Sequence, residues 1–174
     1  MKNVVLIAIV VFITSSFTTS KRVEALIKKE VKAVFKIETY SKHPVIISNE
    51  LNDTLPLKIS ETNFFKIENS TDLLGYYYLG KAYGKADYFD FIVIFDAELM
   101  VAKVKILVYR EDHGGEIGSK RWLKQFIGKT TTNTLKYQKD IAAISGATIS
   151  AKAMTLEVNK LLKTIHILHK NQLL

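Results

Sequence analysis

From Lys21 the chain reads KRVEALIKKEVKAVFK, with Val23, Ile27, Val31, Val34 and Phe35 at helical spacing and Lys28, Lys29 and Lys32 on the other faces. That stripe predicts an amphipathic helix laid against a core. Residues 37–74 show no sustained period; Asn52-Asp53 and Asn69-Ser70-Thr71-Asp72 mark turns, and the short apolar pieces between them fit strand or irregular structure equally. From Gly75 the chain becomes dense in aromatic and β-branched residues. Residues 89–95 (FDFIVIF) and 101–109 (VAKVKILVY) predict neighbouring strands joined by the turn Asp96-Ala97-Glu98-Leu99. In the second strand Val104, Ile106 and Val108 alternate with Lys103, Lys105 and Leu107, which predicts one buried face and an antiparallel meander.

A loop follows, Glu111-Asp112-His113-Gly114-Gly115-Glu116-Ile117-Gly118. Ser119 is then placed to cap a short helix carrying Trp122, Leu123 and Phe126, which Gly128 stops. Residues 129–139 are polar and threonine-rich. A last helix, starting around Thr148, sets Met154, Val158, Leu161, Leu162 and Ile165 on one side. The expected fold class is α+β: an antiparallel β-sheet meander with packed helices, in a single domain.

Composition supports a packed core: 48% of the 174 residues are hydrophobic and only 2 are proline. The first residues stand apart. Met1-Lys2-Asn3 leads into the apolar run Val4 to Ile13 and then into Thr14-Ser15-Ser16, the layout of a secretory signal peptide. The run is short of the ~20 residues that span a bilayer. Residues 1–20 are therefore expected to be a signal peptide, with a membrane anchor as the alternative, and residues 21–174 to be the folded domain. The expected location is periplasmic or extracytoplasmic. With 0 cysteines, neither a disulfide nor a lipid-bearing cysteine is available. The net charge of +8 falls to +7 without residues 1–20, which carry Lys2 alone. Such a surface suits nucleic acid, anionic lipid or a phosphorylated ligand; export argues against nucleic acid.

Several chemistries are absent. GGEIGSK lacks the spacing of a nucleotide-hydrolase phosphate loop, and Gly75, Gly80 and Gly84 are too far apart for a dinucleotide fingerprint. His166 and His169 have no nearby carboxylate, so no metal site is expected. No nucleophile elbow is present, and no catalytic residue is assigned.

The stretch Ile144-Ser145-Gly146-Ala147-Thr148-Ile149-Ser150 is different. Gly146 and Ala147 let a bulky group approach the main chain, and three hydroxyls surround the first turn of a helix, whose N–H groups and partial positive charge suit a phosphate. On chemistry alone, capping of the helix by Ser145 or Thr148 accounts for the same residues.

Ser145-Gly146-Ala147-Thr148 resembles the Ser/Thr-Gly-Ala-Thr motif of the FMN-binding domain family, which includes periplasmic flavin-carrying subunits of bacterial ion-pumping NADH:quinone and ferredoxin oxidoreductases. The order of strand, turn, strand, Glu- and Gly-containing loop and short helix with Gln125-Phe126 is also similar, and the likeness is strongest over residues 75–165. The resemblance implies FMN as cofactor, joined through its phosphate to Thr148 by a flavin transferase. It implies Ser145, Gly146, Ala147 and Ser150 around the phosphate. It also brings Glu111, Gly114, Gly115, Glu116, Ile117 and Gly118 towards the ribityl chain or ring, with Trp122 as a wall. The family's acidic residue three positions before the motif falls on Ala142, the nearest acid being Asp140; covalent and non-covalent FMN both stay open. The expected function is an exported FMN-binding electron-transfer protein that works with a membrane or extracytoplasmic redox partner. Two alternatives stand beside it: a flavin-dependent reductase of a small substrate and a flavin-free exported interaction module.

Overall fold

The computed structural model of the protein describes residues 21–70 and 72–174; the expected signal or anchor, residues 1–20, lies outside them. The elements run α1 (Lys21–Phe35), β1 (Ser41–Pro44), α2 (Asn49–Thr54), β2 (Phe64–Asn69), β3 (Asp72–Tyr83), β4 (Tyr88–Asp96), β5 (Val101–Val108), α3 (Lys120–Leu123) and α4 (Thr148–Lys170). The strands form one antiparallel meander in the order β1-β2-β3-β4-β5. The α+β class and the meander expected from the sequence are therefore the ones found.

The strands read at 89–95 and 101–109 are β4 and β5. Asp96 closes the turn between them, accepting from Leu99 N at 3.1 Å through its carbonyl and from Met100 N at 2.8 Å through its carboxylate. The patternless stretch 37–74 holds β1, α2, β2 and the start of β3. All four residues of β1 are exposed, so no alternation marks it. The six-residue α2 is capped by Ser48, and the loop after it is pinned by Asn52, whose amide donates to Ile59 O at 2.7 Å and accepts from Ile59 N at 2.9 Å.

Every residue from Phe91 to Phe95 is fully buried, because helices cover both faces of the sheet. On one face Met154, Val158, Leu161, Leu162 and Ile165 of α4 meet Phe64, Tyr76, Tyr78, Phe89, Phe91, Val93 and Phe95. On the other, Ile27 and Val31 of α1 meet Phe65, Ile67, Tyr77, Ile92 and Ile94. Each large side chain so buried contributes about 1.5–3 kcal/mol. The single buried face read for residues 101–109 is thus only half of the arrangement. The side bearing Lys103 and Lys105 lies half-buried beside α1, where Lys103 Nζ sits 3.6 Å from Glu30.

Candidate functional site

The helix start comes first. α4 opens at Thr148 with Ala147 in the cap position, and no side chain caps it. The capping role available to Ser145 or Thr148 is therefore not taken. The first-turn N–H groups are left without a side-chain acceptor, at the positive end of a 23-residue helix. Just before it, Ala147 N donates to Ile144 O at 3.2 Å, closing a tight turn in which Gly146 has φ +80°. A side chain there would be strained by the backbone, yet its Cβ would meet nothing within 4 Å, so open space faces the glycine. Ser145, Gly146 and Thr148 are exposed, whereas Ala147 and Ser150 are buried.

The loop at 111–118 packs directly on this turn. Gly114 also has a positive φ, +80°; a Cβ on it would lie 3.0 Å from Ala147 Cβ and 3.1 Å from Gly146 O. Tyr109, at the end of β5, locks the two together: its hydroxyl donates to His113 O at 2.9 Å, and Ser150 Oγ lies 3.3 Å from that hydroxyl oxygen. Gly115 faces open space, Glu116 is exposed, and a Cβ on Gly118 would lie 4.0 Å from Ile106 Cβ. Ile117 is fully buried and anchors the 3-10 turn Gly115–Gly118. Glu111 points elsewhere. Its carboxylate accepts from Ala86 N at 2.9 Å and Asp87 N at 3.2 Å in the β3–β4 turn, and those bonds hold its pKa below the usual 4.5.

Ser119 caps α3 as expected, accepting from Trp122 N at 3.3 Å. Trp122 is only 5% exposed, edge-on to Phe126 at 5.2 Å, so most of its face is spent on the core. Its indole N–H donates to Ala142 O at 2.8 Å, while Gln125 Oε1 accepts from Ala142 N at 2.7 Å. Both backbone groups of Ala142 are thereby held, and the chain enters the motif from a fixed point. The Ala142 side chain is exposed. Asp140 is occupied locally, its carboxylate accepting from Lys136 N at 2.8 Å.

Sequence reasoning passed over Tyr109 and gave Gln125 no role. Nothing local signals Tyr109, because its partner Ser150 is 41 residues away. From Tyr109 a row of rings runs through Phe89 at 5.7 Å and Phe91 at 6.4 Å to Tyr78 at 6.3 Å. Phe91 and Tyr78 line a cleft of about 770 Å³ together with Leu57, Leu79, Leu107 and Arg110. None of the motif residues borders that cleft. Arg110 lies on its wall, ion-paired with Asp90 and donating to Tyr88 O at 2.8 Å.

These residues fit the phosphate end of FMN. An uncapped helix start, two exposed hydroxyls and open space beside Gly115 and Gly146 would receive a phosphate, and Glu111, one of the loop's carboxylates, is turned towards another loop. No match is found among curated proteins. The family model of the FMN-binding domain matches residues 84–163, a span that contains the glycine loop, Trp122 and the whole ISGATIS turn; this stretch of the chain is similar to the FMN-binding domain, which indicates FMN as the cofactor.

Proposed function

We propose that the protein is an extracytoplasmic electron carrier whose FMN is joined through its phosphate to Thr148. The observation that carries this reading is an exposed Thr148 at the first position of an uncapped helix, two residues after Gly146, which borders open space. Attachment exchanges the Oγ1–H bond for an Oγ1–P bond. A flavin transferase supplies the activated phosphate and takes up the proton and the leaving group, and it needs to reach only this exposed turn. When bound, FMN supplies one- and two-electron redox chemistry. The protein's own part is to seat the phosphate on the α4 N–H groups, to hold the glycine loop against that seat through Tyr109, and to fix the entry to the motif through Trp122 and Gln125.

Export rests on the layout of residues 1–20, and a membrane or extracytoplasmic redox partner follows from that location. The test is co-expression with a flavin transferase, followed by intact mass and visible absorbance after denaturation. The expected product is yellow and heavier by one FMN less water, and Thr148→Ala removes the adduct. An adduct that survives Thr148→Ala overturns the attachment site, and colour lost on denaturation means FMN without a covalent bond. The cleft that meets the ring row favours a second reading, a reductase of a small substrate. Sustained turnover of a soluble acceptor by the isolated flavoprotein would support it.

A further inference from the structure

The outward side of α1 is cationic along its whole length. Opposite the buried Ile27 and Val31 lie Lys21, Arg22, Lys28, Lys29 and Lys32, with Lys36 just past the helix end and only Ala25 and Ala33 between them. These six are drawn from the chain's 25 Lys and Arg, and they nearly match its whole excess of eight positive charges. Of the helix's acids, Glu30 turns to Lys103 at 3.6 Å, and Glu24 is exposed at the edge of this face, one turn before Lys28. Lys32 has a partner, Glu38, at 3.7 Å, while Lys21, Arg22, Lys28, Lys29 and Lys36 make no ion pair among the described residues. Lys28, Lys29, Lys32 and Lys36 line a shallow groove together with Ala25, Ala33, Ile37 and Glu38.

This arrangement works against the helix itself. Lys28 and Lys32, and Lys32 and Lys36, are like charges four residues apart, and Lys21 and Arg22 put positive charge at the positive end of the dipole, offset only in part by Glu24 in the first turn and Lys32 in the last. An ordinary solvated helix face mixes signs and gains from doing so. A face that forgoes this gain is shaped for something negative and broad.

We infer that this face of α1 lies on a bilayer surface carrying anionic headgroups, held there by charge and without insertion. Three features select a lipid surface over an acidic protein. The basic residues run over the helix's ~22 Å, and the one large apolar residue beside them, Ile37, stands past the helix end with Glu38, too little to anchor a protein interface. The face's residues between the lysines are alanines, so flexible ammonium groups can settle onto headgroups without steric matching. In the sequence α1 also follows the apolar run Val4 to Ile13 by only seven residues, so a chain that enters or remains at a membrane has this helix beside it.

The test is partitioning of the full-length flavoprotein onto phosphatidylcholine vesicles with and without phosphatidylglycerol. Any pull of the apolar N-terminal run is common to both, so the ratio isolates the charge effect. The expected ratio is at least about tenfold at low salt. It collapses between about 0.01 M and 1 M salt, as the Debye length shortens from about 30 Å to about 3 Å. Replacing Lys28, Lys29, Lys32 and Lys36 by Gln removes the preference while flavin content and circular dichroism stay unchanged. Replacing Lys85, Lys139, Lys163 and Lys170 by Gln, an equal loss of charge elsewhere, leaves most of it. Equal partitioning of wild type onto the two vesicle types overturns the inference, as does an equal loss in the two variants. Retention of the preference by the α1 variant overturns it too, and leaves the face to an acidic protein partner. Flavin attachment plays no part in this outcome, so either idea can fail alone.

Discussion

Tyr109 is the residue on which the site's rigidity turns. One phenol oxygen meets both the glycine loop, through His113 O, and the first turn of α4, through Ser150. Tyr109→Phe keeps the ring against Phe89 but loses both bonds. Since a net hydrogen bond contributes about 1 kcal/mol and two are lost, the variant should be less stable by about 1–2 kcal/mol in denaturant unfolding, and its loop amides at 113–116 should exchange hydrogen faster. Unchanged exchange there would remove Tyr109 from the role given to it. The neighbouring glycines show why residue type matters at this spot. Gly114 is needed twice, once for its backbone angle and once because Ala147 fills the space a side chain would take, whereas Gly146 is needed for its angle alone.

Among the elements, α1 lies outside the span matched by the family model, which begins at residue 84, yet it closes one face of the sheet. Ile27→Ala should cost about 2–5 kcal/mol by leaving a gap against that face, measured as a shift in the urea midpoint at constant slope. A cost near zero would mean that α1 is not packed there in solution. How far such elements are legible depends on their length and surroundings. α4 is a long helix with one apolar side, and β4 and β5 are rich in β-branched and aromatic residues, so their patterns announce them. β1 is four exposed residues and α2 is six residues with none buried, so the periodic signal that finds helices and strands has nothing to act on. The double cover of the sheet was hidden for a related reason: a strand records that a face is buried but not which distant helix buries it. The same division holds at the site. Small residues and hydroxyls next to a helix start were visible in ISGATIS, and glycines were visible in the loop. That Gly114 touches Ala147, or that Glu111 serves the β3–β4 turn instead, depends on how β5 delivers the loop.

For the molecule as a whole, stability carries an acid-side dependence through Glu111, whose carboxylate ties the end of β5 to the β3–β4 turn. Because the bonds from Ala86 and Asp87 lower its pKa in the fold, the ionised form favours folding above the usual 4.5. That contribution is lost as pH falls through the lowered value. Glu111→Gln should therefore melt below wild type at neutral pH, with the gap closing in acid below 4.5. A gap that persists or widens in acid would contradict the assignment. The meander's two rims also have a bearing on how the protein behaves in company. At one, residues 128 and 129 cover the start of β5 with bonds of 2.8 Å to Val101. At the other, β1 offers four exposed residues, of which Pro44 has no N–H to give and Lys42 is charged. A foreign strand seeking to extend the sheet would find a short, interrupted ladder there, so the domain can be crowded with copies of itself without being drawn into fibres through that rim.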